Sequence, residues 1–129
     1  MKTGFVNGKL KDVRVLLVED EFLIAEELAD VLGDSGAKVL GPCSNLKQAL
    51  NLANTLDMDL ALLDVNLDGD QIYPVADVLA ARAIPFVFMT GYSRDALPPE
   101  HRSRPVVRKP FQAAELLRVL DSLIAKKPH

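Results

Sequence analysis

The sequence predicts an α/β fold: an open, doubly wound sheet of five parallel strands with helices on both faces. Three observations predict it. Five short apolar runs recur along the 129 residues, most of them without polar–apolar alternation, and helix-spaced segments fill all but one of the intervals. Short continuous runs suit strands covered on both faces. Strand and helix in regular alternation suit parallel pairing through right-handed crossovers.

The first run, residues 13–18, precedes a stripe of Ile24, Leu28, Val31 and Leu32 that Gly33 and Gly36 should end. The second, residues 37–40, precedes Leu46, Ala49, Leu50, Ala53 and Leu56, with Asn45 placed to cap that helix. The third, residues 60–63, leads to Val75, Val78, Leu79 and Ala83, and Pro74 suits a first-turn position. After the fourth run, residues 85–89, Pro98 and Pro99 interrupt the segment 93–104. At most a turn or two fits there, so the fourth helix should be short or distorted. The fifth run, residues 105–107, is followed through Pro110 by Leu116, Leu117, Leu120, Leu123 and Ile124.

The composition fits one domain: 49% of residues are hydrophobic and 26% charged, without internal repeats or low-complexity tracts. A net charge of -3 gives no bulk positive field to recruit nucleic acid or an anionic membrane. The longest stretch without a charged residue is 11 residues, 83–93, too short to span a bilayer. Residues 1–13 lack the apolar core of a secretory signal, so a soluble, cytoplasmic protein is expected. The single cysteine, Cys43, excludes an internal disulfide and reads as a small packing residue. His101 reads as a surface loop residue and His129 as part of a loose terminus.

Ligands of such sheets collect at the carboxyl ends of the strands. There the first run ends in Glu19-Asp20-Glu21, the third in Asp64, the fourth in Thr90-Gly91 and the fifth in Arg108-Lys109-Pro110. Folding gathers Glu19, Asp20 and Asp64; three carboxylates that close repel one another, and Lys109 alone cannot cancel them. A hard divalent ion with oxygen ligands, Mg²⁺, resolves the conflict. A cation, an ammonium and the Thr90 hydroxyl are also the equipment for holding a phosphoryl group. Asp64 would be its nucleophile, forming an acyl phosphate. Singly, each piece has a plainer reading: a solvated helix start, a capping aspartate, a turn, an exposed lysine. Their order, each at a strand end, is what carries the signal.

Leu17-Val18-Glu19-Asp20-Glu21, Leu63-Asp64, Thr90-Gly91 and Lys109-Pro110-Phe111 together resemble the receiver domain of two-component response regulators. The resemblance spans residues 12–126, between an N-terminal extension (1–11) and a C-terminal tail (127–129). It implies the flavodoxin-like strand order 2-1-3-4-5. Phe88-Met89-Thr90-Gly91-Tyr92 also resembles an alphaproteobacterial receiver subfamily with a Phe-Ala-Thr-Gly-hydrophobic motif, Met89 replacing the alanine. The resemblance implies that Asp64 accepts a phosphoryl group from a phosphohistidine on a histidine kinase or histidine phosphotransfer protein. Asp20, Asp64 and the backbone carbonyl of Asn66 would bind Mg²⁺, with Glu19 helping directly or through water. Thr90 would swing onto the phosphoryl group, Lys109 would pair with another of its oxygens, and the Lys109–Pro110 bond would be cis. Phosphorylation would then change docking to a downstream protein, or drive a phosphorylation-dependent dimer, with no enzymatic activity on other molecules.

Two departures matter. Many receivers carry Tyr or Phe three residues before the lysine, as a ring that tracks phosphorylation; here Val106 stands there, and Tyr92 is expected to move instead. Asp68 occupies a loop position that is often proline. The end of the sequence after Lys127 suggests a single-domain regulator with no DNA-binding output. The alternative is a small Mg²⁺-dependent phosphohydrolase of the haloacid-dehalogenase type. Its Asp-x-Asp nucleophile motif would follow the first strand, whereas Asn66 stands two after Asp64 here and only helix follows Lys109. A third reading is a receiver-like module that binds partners without being phosphorylated.

Overall fold

The structure, a computed structural model, describes residues 10–126. Residues 1–9, the bulk of the expected extension, and the tail 127–129 lie outside them. Leu10, ahead of the expected domain start at residue 12, is fully buried.

The chain runs β1 (Arg14–Val18), α1 (Phe22–Asp34), β2 (Lys38–Cys43), α2 (Leu46–Thr55) and β3 (Leu60–Asp64). A two-stranded hairpin, β4 (Asn66–Leu67) and β5 (Asp70–Gln71), leads into α3 (Tyr73–Ala81). Then come β6 (Phe86–Thr90), two 3₁₀ turns (Arg94–Ala96 and Pro99–His101), β7 (Val106–Arg108) and α4 (Ala113–Lys126). The main sheet is parallel, in the order β2-β1-β3-β6-β7. That is the 2-1-3-4-5 order expected, with the small hairpin added.

Period-2 alternation sends strand residues into two separate layers. Leu16, Val18, Ala61, Leu63, Phe86 and Phe88 face Ala49 and Ala53 of α2 and Val75, Ala76 and Leu79 of α3. Val15, Leu17, Leu60, Leu62, Val87 and Met89 face Leu28 and Leu32 of α1 and Leu116 and Leu120 of α4. Both faces of the central strands are thereby dry, which is why their sequences read as unbroken apolar runs.

The local signals act as anticipated. Asn45 Oδ1 accepts from the Gln48 N–H at 2.8 Å and caps α2. Pro74 lies in the first turn of α3. Gly36 turns the chain out of α1 at φ +92, where a Cβ would stand 2.9 Å from Lys11 Cα. Gly33, by contrast, stays inside the helix. No described helix is long and apolar enough to cross a membrane.

The segment after β6 holds the surprise. His101, expected on the surface, is only 3% exposed. Its ring stacks on Tyr73 at 5.8 Å and meets the edges of Phe86 and Phe88, and Nε2 lies 3.0 Å from Asp77 Oδ1. The second 3₁₀ turn carries it into the interior, over the aromatic residues of β6 and α3. Those partners lie 13 to 28 residues away in the chain (101 − 88 and 101 − 73), out of reach of local sequence patterns.

Candidate functional site

Each parallel strand delivers its last residues to the same edge, so the carboxyl ends of β1, β3, β6 and β7 meet there. Glu19, just past β1, is turned inward and 2% exposed. Its Oε1 lies 3.0 Å from Lys109 Nζ, and its Oε2 accepts from the Glu21 N–H at 3.1 Å. Asp64 closes β3 at 6% exposure; its Oδ2 lies 3.3 Å from the same ammonium and its Oδ1 accepts from the Asn66 N–H at 3.3 Å. Lys109 is fixed by its own backbone, whose N–H donates to Thr90 O at 3.0 Å. The Lys109–Pro110 bond is cis. Thr90 is buried, its Oγ1 accepting from the Tyr92 N–H at 3.0 Å.

The electrostatics follow from burial. Desolvation first, and the Glu19 carboxylate second, push the Asp64 carboxyl up to about 7, against the pull of the Lys109 ammonium. Burial also works against the Lys109 ammonium, but Glu19 and Asp64 outweigh it and hold its pKa above the usual lysine value. Glu19, Asp20 and Asp64 each offer a carboxylate oxygen, all within 4.8 Å of one another. One ammonium against three carboxylates leaves an excess of negative charge. The donor set, all oxygen, fits a hard divalent cation such as Mg²⁺.

Above these groups opens a cleft of about 570 Å³ lined by Asp20, Asp64, Asn66, Thr90, Tyr92 and Lys109. The Tyr92 side chain stands on its rim, 66% exposed. The structure thus brings every expected site residue except Val106 to one place. Val106 pairs with Phe88 and packs half-buried against the α2/α3 layer. The sequence reading missed the β4–β5 hairpin, whose tip, Asp68 and Gly69, also lines the cleft. Both tip residues have positive φ (50 and 93), the signature of a two-residue hairpin turn. The Asp-Gly pair between Leu67 and Asp70 was the available signal. Also unanticipated are Phe22 and Leu23, next in the chain after the cleft residue Glu21, which are 71% and 76% exposed.

A family model described as the response regulator receiver domain matches residues 15–121. This chain belongs to that family. Phosphorylation and Mg²⁺ binding are typical of receivers in two-component systems. The solution structure of SdrG from Sphingomonas melonis Fr1 is similar at 41% identity and TM-score 0.77, over 88% of this chain and 97% of that one. SdrG in its BeF3-activated conformation matches at 42% identity and TM-score 0.73, over 86% and 95%. The receiver domain of the sensor histidine kinase PA1611 from Pseudomonas aeruginosa PAO1 is 25% identical, with TM-score 0.73, over 89% of this chain and 99% of that one. It was solved with a magnesium ion coordinated in its active-site cleft. Among curated proteins, the transcriptional regulatory protein PdtaR of Mycobacterium tuberculosis is 28% identical over 88% of this chain and 57% of its own length. The chain spans about half the length of such curated relatives. Membership of the receiver family does not favour the phosphohydrolase alternative.

Proposed function

We propose that this receiver takes a phosphoryl group from a phosphohistidine onto Asp64 and uses it to switch protein–protein contacts. The observation that carries the reading is the Lys109 ammonium lying 3.0 Å from Glu19 and 3.3 Å from Asp64, within a trio of carboxylates. An Asp64 oxygen attacks phosphorus, the nitrogen–phosphorus bond breaks, and the donor imidazole leaves with the bonding electrons and picks up a proton. Lys109 steadies the charge on the transferring group. Asp20, Asp64 and the Asn66 carbonyl would hold Mg²⁺, with Glu19 helping directly or through water. Mg²⁺, when bound, supplies positive charge against the carboxylates and the phosphoryl oxygens.

Thr90 then exchanges the Tyr92 N–H for a phosphoryl oxygen, to which its hydroxyl donates. That exchange frees the turn that carries Tyr92, and the ring moves off the rim. The donor is a histidine kinase or phosphotransfer protein in the cytoplasm; exposed Tyr92 on the cleft, and exposed Phe22 and Leu23 next in the chain after the cleft residue Glu21, support a protein donor with an apolar face. Downstream output runs through a docking protein or a second copy of the chain, with neither nucleic acid nor membrane as a direct partner. The domain runs from about residue 12 to 126.

Acetyl phosphate and Mg²⁺ test the reading. Intact mass should show one added phosphoryl group on the wild type and none on Asp64→Asn, and Tyr92 exposure should fall in the labelled protein. No labelling, or labelling that Asp64→Asn leaves unchanged, would defeat it. Multiple turnover of a free phosphate ester would favour the phosphohydrolase instead.

A further inference from the structure

Glu19 stands beside an irregularity in the neighbouring strand. β1 and β2 pair in register at Val15↔Val39 and Leu16↔Leu40, but Val18 pairs with Cys43. Continuing the first register would place Pro42 opposite Val18, so β2 holds one extra residue at Gly41–Pro42. Such bulges are rare in parallel pairs, and beside active sites they re-aim a side chain. Beyond the bulge, the Cys43 carbonyl accepts from the Glu19 N–H at 2.9 Å. β2 therefore ties down the backbone of Glu19 one residue past the end of β1.

The bulge depends on Gly41. It sits at φ +99, and a Cβ there would lie 2.8 Å from Cys43 N and 2.9 Å from Leu17 O. Both are backbone atoms of the two paired strands and cannot swing aside. Cys43 is fully buried, which anchors the far side of the bulge in the core. Glu19 is itself buried, with Lys109 on one oxygen and the Glu21 N–H on the other, so its carboxylate has no solvent-facing alternative. A shift of the Cys43 carbonyl passes directly into the spacing of the carboxylates.

We propose that Gly41 is a positioning residue for divalent-cation binding: the bulge it permits sets, through the Cys43 carbonyl, where Glu19 stands relative to Asp20 and Asp64. The inference rests on the reading above that these carboxylates hold the cation. Gly36 supplies a matched control, because it too has positive φ and a Cβ that would meet backbone, 2.9 Å from Lys11 Cα, but it follows α1 at the opposite end of β2.

The test measures Mn²⁺ affinity by electron paramagnetic resonance of the free ion, at a temperature where thermal unfolding shows each variant folded. Gly41→Ala and Gly36→Ala should both lower Tm. Only Gly41→Ala should weaken Mn²⁺ binding, by about 10-fold, the usual scale for groups that orient metal ligands. Pro42→Gly adds no atom to the crowded strand and loosens the same backbone, so it should weaken binding a few-fold; it decides the matter if Gly41→Ala fails to fold. Glu19→Gln should weaken binding directly. A wild type that binds Mn²⁺ while Gly41→Ala and Pro42→Gly match it overturns the inference alone, as does equal weakening in the Gly36→Ala control. A wild type that binds no Mn²⁺ overturns the reading of the site and the inference with it.

Discussion

The acidic side of the cleft and the segment that follows Thr90 are held by different means. Glu19 and Asp64 extend strands that are paired on both sides, so the backbone ladder fixes them. Residues 91–104 have only two 3₁₀ turns, and side chains supply much of what regular structure would. Arg94 donates to the carbonyls of Arg102 and Arg104, Arg102 to that of Leu97, and Arg108 to that of Gly91. His101 drives the second turn into the Tyr73–Phe86–Phe88 cluster. Segments fastened by a handful of side chains open at lower free energy than core strands. The anionic end is therefore the more firmly held of the two.

The strongest way to break the acidic side is Lys109→Met. It removes the cation between two buried carboxylates, and phosphorylation by acetyl phosphate should slow on the order of 10²-fold, read by intact mass against time. A rate within twofold of wild type would mean that Lys109 is only a structural counter-ion.

On the other side, His101→Ala removes a stacked, buried ring. It should cost about 3 kcal/mol of stability in denaturant unfolding. Hydrogen exchange should quicken across residues 92–104 while residues 15–18 stay protected. Uniform loss of protection would erase the distinction between the two regions.

The smallest effect concerns pH. In chelator, the Asp64 carboxyl is pushed up to about 7, chiefly by burial, whereas in the unfolded chain it ionises near its ordinary value. The folded state therefore keeps a proton that the unfolded state gives up. Asp64 favours folding below its ordinary value, and that contribution fades as pH rises toward 7. Asp64→Asn should flatten this decline and be roughly 2 kcal/mol more stable than wild type at pH 8. Millimolar Mg²⁺ should narrow the gap. A wild type as stable at pH 8 as at pH 5 in chelator would contradict the burial argument.

The fold was legible because strands covered on both faces must be continuously apolar, and the five runs are. The acids and Lys109 were legible as a group because parallel strands deliver all their carboxyl ends to one edge. What escaped depended on partners distant in the chain. The burial of His101 is decided by Tyr73, Phe86 and Phe88, and no periodicity within 93–104 announces it. The extra residue in β2 appears only when β2 is laid beside β1. The β4–β5 hairpin is a different case: its Asp68–Gly69 turn was written in the sequence, but strands of two residues are too short to show alternation.

The division of the interior by the sheet bears on substitution. Because odd and even strand positions serve opposite helix layers, Phe86 and Phe88 can be exchanged along with their neighbours in α2 and α3 while Val87 and Met89 keep their fit to α1 and α4. One flank of the interior can thus be repacked as a unit without disturbing the fit of the other.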